Sequence, residues 1–140
     1  DVHRLFDQLG ISEAALDERF HFDGSETINA NHICARLQSA PRDSTVVIDY
    51  LQLLDQRRTD PDLGTQIRRL RDFGRLRAFA TLVVAQISRT WESSDRSIPE
   101  LRDVRLPNPL DLSLFDASLV LHDGQLVRRS NAMDVPHDDL

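Results

Sequence analysis

One short run of residues constrains the fold of this chain more than any other stretch. Every residue of Thr45–Ile48 is β-branched, and the run ends at Asp49. Such a run is typical of a strand buried on both faces in a parallel sheet. A carboxylate directly after it would lie at the carboxyl edge of the sheet, where open α/β folds bind ligands. The alternative is an ordinary buried strand that ends at a solvated aspartate.

A second buried strand is predicted at Thr81–Gln86, and a long helix lies between the two strands. Asp62 is the expected N-cap of this helix, which extends to about Ala78. Its inward stripe comprises Leu63, Ile67, Leu70 and Phe73. Strands joined through a helix run parallel, so Gln86 would end its strand at the same edge as Asp49. We therefore expect an α/β fold with a mainly parallel sheet and flanking helices.

The segments before and after this unit predict smaller elements. Hydrophobic spacing favours helices over residues 1–9 and 12–18, a short strand at Phe20–Phe22, and a helix from Thr27 or Asn29 to about Ser39. Cys34 lies in the last of these helices and is interpreted as a small buried hydrophobe. Towards the other end, Asp123-Gly124 is a strong signal for a β-hairpin.

The basic residues exclude one kind of nucleotide site. All 17 are Arg, and the chain has no Lys. A phosphate-binding G-x-x-x-x-G-K-[ST] loop needs a Lys that reaches the β- and γ-phosphates, and the five glycines are scattered. A Walker A loop is therefore excluded from these 140 residues. Together with a first residue that is Asp rather than Met, this suggests a piece of a longer protein or a degenerate relative.

Net charge and cysteine content limit the partners and the cellular compartment that we expect for this protein. The net charge of −6 argues against strong autonomous nucleic-acid binding, which depends on cations that neutralise phosphates. The single cysteine excludes an internal disulfide and fits a reducing setting. No apolar run approaches the roughly 20 residues of a membrane span. We expect a cytoplasmic protein that does not associate with membranes.

The longer string around the first strand resembles a known family. Ile48-Asp49-Tyr50-Leu51-Gln52-Leu53 is similar to the Walker B segment of DnaB-type replicative helicases, which are RecA-like ATPases. The resemblance extends from about Phe20 to about Gly124. It implies a partial RecA-like ATPase domain over residues 1–130, with the P-loop strand absent and a C-terminal β-hairpin. Residues 131–140 would form an acidic, disordered tail.

The resemblance also implies roles for the two strand-end residues. Asp49 would hold Mg²⁺ through water, because Mg²⁺ keeps most of its waters and takes one or two carboxylates. Gln86, followed by Ile87-Ser88-Arg89, resembles a family segment whose Gln couples the nucleotide state to DNA-binding loops. The alternative for Gln86 is a strand-end residue hydrogen-bonded to backbone. Mg²⁺ and ATP are expected only in the complete protein, which would supply the P-loop Lys and the catalytic Glu.

Five arginines are candidates for DNA contact, because the family carries DNA-contacting loops near these positions: Arg57, Arg58, Arg89, Arg96 and Arg102. The alternative for Arg57 and Arg58 is that they form ion pairs with the neighbouring carboxylates Asp55, Asp60 and Asp62. Trp91 with Arg96 could stack on single-stranded bases, or Trp91 could fold back onto the sheet edge. Arg102 belongs to Glu100-Leu101-Arg102-Asp103, which resembles the family's Asp-Leu-Arg-Glu string.

The family also places an inter-subunit arginine finger beyond its last hairpin strand. Arg128 and Arg129 are the available candidates here, although the family's Lys-x-Arg-x-Gly setting is missing. A small enzyme that pairs Asp49 with a histidine is a third possibility, for which only His122 falls near a strand end.

The leading expectation is the Walker B and sensor portion of a DnaB-like helicase or related RecA-like ATPase in DNA replication or recombination, inactive alone. It would meet single-stranded DNA as part of an oligomeric ring, either as a homo-oligomer or with a missing N-terminal half. The alternative is a non-catalytic RecA-like module for protein interaction or ring assembly. In either case the second strand has an open edge that must be covered by a longer chain, a second copy or a rearranged terminal segment.

Overall fold

The structure, a computed structural model, describes residues 4, 8–10, 12, 19–106 and 108–130, with the backbone alone at Ser130. The helices predicted over residues 1–9 and 12–18 lie almost entirely outside the described residues, and the predicted tail at 131–140 lies wholly outside them.

The first helix, α1, spans Ala30–Arg36. The side chain of Asn29 accepts a hydrogen bond from the His32 N–H at 2.9 Å, so Asn29 is the N-cap, as the sequence allowed. The helix ends three residues earlier than predicted. Cys34 is buried, which confirms its interpretation as a core residue.

The strand predicted at Phe20–Phe22 is wrong, since this stretch is exposed and irregular. Three residues of alternation form a strand only beside a partner strand. Both sheets of the described chain are built from other residues.

Two parallel strands and a helix form the centre of the described chain. Strand β1 spans Thr45–Asp49 and β2 spans Ala80–Val84, with Asp49 opposite Val84 in the register. This register confirms the predicted parallel pairing. The peptide bond after Asp49 is cis, and a 3₁₀ turn follows at Leu51–Asp55.

Helix α2, Leu63–Arg77, connects the two strands close to its predicted limits. Asp62 accepts a hydrogen bond from the Thr65 N–H at 2.9 Å, which confirms it as the N-cap. The predicted inward stripe is also correct, because Leu63, Ile67 and Leu70 are buried and Phe73 packs against them. The helix ends at Ala78 in the left-handed conformation, which turns the chain back into β2.

The parallel sheet is covered on one face only. Helices α1 and α2 and the 3₁₀ turn pack on the face that includes Ile48. On the opposite face, Val47 is 59% exposed, Leu82 48% and Val84 46%. The prediction of a strand buried on both faces is therefore wrong for the described residues, because successive side chains alternate between faces and helices cover only one.

A buried amide joins the elements of the covered layer. Gln66 on α2 is 1% exposed. Its Oε1 accepts from the Ala30 N–H at 3.0 Å, and its Nε2 donates to the carbonyl oxygens of Leu54 at 2.6 Å and Pro61 at 2.8 Å. One side chain therefore ties α1, the 3₁₀ turn and the start of α2 together, with its hydrogen-bonding groups satisfied.

An antiparallel hairpin ends the described chain. Strand β3 spans Ala117–His122 and β4 spans Gln125–Ser130. Asp123 and Gly124 connect them with φ values of 46° and 72°, the positive values that a two-residue type I′ hairpin turn requires. The predicted hairpin is confirmed. The described chain is thus a small α/β unit with a two-stranded parallel sheet and a separate two-stranded hairpin.

Candidate functional site

The carboxyl edge of the parallel sheet brings the two predicted strand-end residues to the same side of the fold. Asp49 is the last residue of β1, and Gln86 follows the end of β2 by two residues. Both side chains are exposed. Neither has a hydrogen-bond or ion-pair partner within the described chain, so both are available to a ligand or to water. The alternative for Gln86, a residue hydrogen-bonded to backbone, holds for its main chain, because its carbonyl accepts from the Arg105 N–H at 2.7 Å, while its side chain is not hydrogen-bonded within the described residues.

The donor set at this edge fits a water-mediated magnesium ion better than a caged one. Asp49 is a single accessible carboxylate, which suits an ion that keeps most of its waters. Among the described residues, no group of three or more His, Cys, Asp or Glu side chains could hold a metal. A nucleotide phosphate would need a Lys from other polypeptide, because the sequence has none. The chemistry of Asp49 alone would allow a Mg²⁺ ion held through water.

The residues just after the end of β2 pair with a later segment of the chain, a contact that was not predicted from the sequence. Residues 103–105 run antiparallel to 86–88, with a bridge between Ile87 and Val104. The Arg105 N–H donates to the Gln86 carbonyl at 2.7 Å, and Gln52 Nε2 donates to the Arg105 carbonyl at 2.7 Å. This contact is difficult to predict from sequence, because Gln52 and Arg105 lie 53 residues apart. The local hint was a polar residue, Gln52, within the Walker B-like string.

Three of the seven candidate arginines are held by carboxylates. Arg96 makes two hydrogen bonds to Asp103, at 2.8 and 2.6 Å. These bonds lower the pKa of Asp103 and raise that of Arg96. Arg102 lies 2.7 Å and Arg129 3.7 Å from the Glu100 carboxylate. Arg96 is therefore engaged by a close two-bond pair, whereas Arg102 and Arg129 make exposed ion pairs that contribute little.

The other four candidates remain accessible. Arg57, Arg58, Arg89 and Arg128 are exposed, and no described carboxylate pairs with them. The alternative in which nearby carboxylates neutralise the first two is not what forms. Asp55 accepts from Asn108 at 2.6 Å, Asp60 accepts from Asn29 at 3.0 Å, and the third carboxylate, Asp62, caps α2. The loop after β1 therefore presents two exposed guanidinium groups that make no ion pair within the described residues, although three carboxylates lie in the same loop.

Trp91 folds back rather than standing free. Its ring packs edge-to-face on His122 of β3, with 4.8 Å between ring centroids. Its Nε1 is buried without a hydrogen-bond partner in the described part of the chain. The stacking role suggested for Trp91 would require it to leave this contact. His122 is engaged by Trp91 and lies 3.4 Å from Asp123, so its observed contacts do not include Asp49.

A second polar cluster lies before α1, away from the strand ends. Asp23 accepts hydrogen bonds from Ser25 and from His32 Nε2, the latter at 2.8 Å, and Arg36 Nε lies 3.2 Å away. The bonds from Ser25, and then that from His32, hold the pKa of Asp23 well below its usual range. His32 is half-buried, and its bond to Asp23 orients the chain entering α1.

Comparison with protein-family models, curated proteins and solved structures returned no match. The resemblance to DnaB-type helicases therefore remains a prediction made from the residues around Asp49 and Gln86. None of the helices within the described ranges has the length and apolarity that crossing a membrane requires.

Proposed function

We propose that this chain is the Walker B and sensor portion of a DnaB-like, ATP-dependent DNA helicase or a related RecA-like ATPase in DNA replication or recombination. One observation carries the proposal: β1 and β2 pair in parallel, with Asp49 opposite Val84 and Gln86 two residues further on. An acidic side chain at the end of β1 and an amide side chain two residues past the end of β2 therefore lie towards the same edge, where open α/β sheets bind ligands. An antiparallel pair would have put them at opposite ends.

In the complete protein, Asp49 would hold Mg²⁺ through water beside the nucleotide phosphates. Bound Mg²⁺ supplies charge neutralisation for phosphoryl transfer. Gln86 would hydrogen-bond a water or a phosphate oxygen at the same edge. The polypeptide that supplies the phosphate-binding Lys would also cover the bare sheet face around Val47, Leu82 and Val84. This chain alone is expected to hydrolyse no ATP.

The accessible arginines define the proposed DNA side. Arg57 and Arg58 follow β1, and Arg89 follows β2, so all three lie on segments that leave the carboxyl edge. Their exposed charges suit phosphate contacts, which supply most of the affinity for single strands. With a net charge of −6, several copies would have to combine such loops, as in a ring in the cytoplasm. Arg128 is the accessible candidate for an inter-subunit arginine finger.

The test is ATP turnover in a polypeptide that contains this chain together with a phosphate-binding loop. Asp49→Asn should lower turnover about a hundredfold or more, because the carboxylate that orients the ion is lost. Asp43→Asn is the matched control, since Asp43 is an exposed aspartate at the other end of the same strand. Unaltered turnover in Asp49→Asn would remove Asp49 from its assigned role and with it the helicase interpretation.

A second candidate function is a non-catalytic RecA-like module that binds a partner protein or assembles into a ring. The exposed apolar face of the parallel sheet favours this function, since contiguous apolar surface marks interaction sites. Leu82→Glu should then abolish self-association or partner binding while leaving secondary structure unchanged. Sedimentation velocity would decide the self-association arm, and a monomer at high concentration for the unsubstituted chain would exclude ring assembly by this segment alone.

A further inference from the structure

A continuous set of hydrogen bonds links the end of β1 to the segment that closes the sheet edge. Gln52 lies in the 3₁₀ turn that follows Asp49, and its Nε2 donates to the Arg105 carbonyl at 2.7 Å. The N–H of the same Arg105 donates to the Gln86 carbonyl at 2.7 Å. Residue 105 therefore bridges a side chain that follows the first strand and the backbone that follows the second.

The path continues from the sheet edge into the arginine-bearing loop. The Ser88 N–H donates to the Asp103 carbonyl at 2.7 Å. The Asp103 carboxylate in turn holds Arg96 and accepts the Glu100 N–H at 2.7 Å. The backbone on both sides of the loop 89–102 is thereby fixed to the strand ends.

The side-chain amide of Gln52 holds residues 103–105 through its Nε2 donor. Its Oε1 is buried and has no partner in the described residues, which is an unfavourable arrangement. An apolar side chain of the same size would avoid that cost but would lose the bond to Arg105. The bond from Gln52 Nε2 to the Arg105 carbonyl connects residues 103–105 to the turn after β1. The other hydrogen bonds of these residues described above connect them to the backbone that follows β2.

We propose that Gln52 is a positioning residue that holds the 103–105 segment, and through it the Gln86 backbone and the loop 89–102, in register with the end of β1. The inference rests on the proposed function for its consequence, which is that the accessible Arg89 keeps a fixed place relative to Asp49. Gln52 is assigned no contact with nucleotide or DNA.

The test of the geometry is amide hydrogen exchange of the 140-residue chain followed by NMR. Gln52→Met keeps the size of the side chain and removes the donor. Exchange at the Arg105 and Ser88 amides should accelerate about fivefold, equivalent to about 1 kcal/mol, the typical contribution of one hydrogen bond. The Ala30 amide, bonded to Gln66, should be unchanged.

Gln56→Met is the matched control, because Gln56 is exposed just beyond the same turn and its side chain makes no hydrogen bond within the described chain. Unchanged exchange at Arg105 and Ser88 in Gln52→Met would overturn the proposal. So would equal acceleration at Ala30, since that would be general destabilisation rather than loss of position.

A second arm uses fluorescein-labelled oligo-dT and measures affinity as a function of salt. Gln52→Met should weaken binding about twofold to fivefold with the salt slope unchanged, because no phosphate contact is removed. Arg89→Ala should lower the slope by about one. Affinity unchanged in Gln52→Met would overturn the link to the loop. These binding measurements use the longer polypeptide of the turnover test, because with a net charge of −6 several copies must combine their loops to bind DNA. If that polypeptide binds no oligo-dT, the DNA part of the proposed function fails, and the exchange result still decides whether Gln52 positions the segment.

Discussion

Replacing the buried side chain of Gln66 should strongly destabilise the described fold. Its amide satisfies the Ala30 N–H and the Leu54 carbonyl, both on buried residues, and the Pro61 carbonyl, which lies nearer the surface. Gln66→Met keeps the volume of the side chain and removes all three bonds. The Pro61 carbonyl can turn to water, whereas the other two groups lose their partners inside the core.

The expected loss follows from those two groups. A buried backbone donor or acceptor left unsatisfied costs about 1–3 kcal/mol. Two such groups therefore predict a loss of about 3 kcal/mol, since burying a thioether in place of an amide offsets part of the total. A domain of this size has about 5–15 kcal/mol of stability in all. The substitution should consequently remove a large share of it.

Urea denaturation followed by far-ultraviolet circular dichroism measures this change directly. The midpoint should fall while the dependence on urea stays the same, because the surface exposed on unfolding is unchanged. Gln38→Met provides the control, as Gln38 is exposed and its side chain makes no hydrogen bond in the described chain. A loss below about 1 kcal/mol in Gln66→Met, or one equal to that of the control, would refute the role assigned to the buried amide.

Three further predictions concern single contacts. Asp23→Asn should destabilise the chain at neutral pH, because the pKa of Asp23 is lowered in the fold and its carboxylate therefore stabilises the folded state. The difference in stability between the two proteins should shrink as the pH falls below about 4, since protonation removes that contribution. A pH-independent difference in chemical denaturation would contradict this. Asp62→Ala should lower the melting temperature by removing the cap of α2, whereas Asp72→Ala on an exposed position of that helix should not. His122→Ala should shift the emission of the single Trp91 to the red, since the ring loses its packing partner; an unchanged spectrum would show that Trp91 does not rest on the hairpin.

Local sequence signals were sufficient for α2, for the hairpin and for the parallel pair, although not for the strand predicted at Phe20–Phe22. The Asp62 cap and the spacing of the apolar residues predicted α2 to within one residue at each end. Asp123-Gly124 predicted the hairpin, because few other pairs accept positive φ at both central positions. Two short apolar runs joined by a helix were enough to predict a parallel pair in which Asp49 ends β1. The predicted end of the second strand at Gln86 is wrong by two residues, because β2 ends at Val84.

Burial and long-range contacts were not predictable in the same way. A β-branched run looks the same whether one helical layer or two will cover it, so the exposed side of β1 gave no warning. The buried role of Gln66 depends on backbone groups from three segments. The pairing of Arg96 with Asp103 requires the loop to turn back on itself, and no local pattern distinguishes that arginine from the accessible Arg89.

Paramagnetic relaxation by Mn²⁺, which occupies the same oxygen sites as Mg²⁺, tests whether Asp49 and Gln86 share one magnesium-accessible edge when it is measured on the longer polypeptide of the turnover test with nucleotide bound. At low Mn²⁺ concentration the amide signals of Tyr50 and Gln86 should broaden together, and Asp49→Asn should abolish both effects. Broadening at Tyr50 without Gln86, or broadening that persists in Asp49→Asn, would contradict the account.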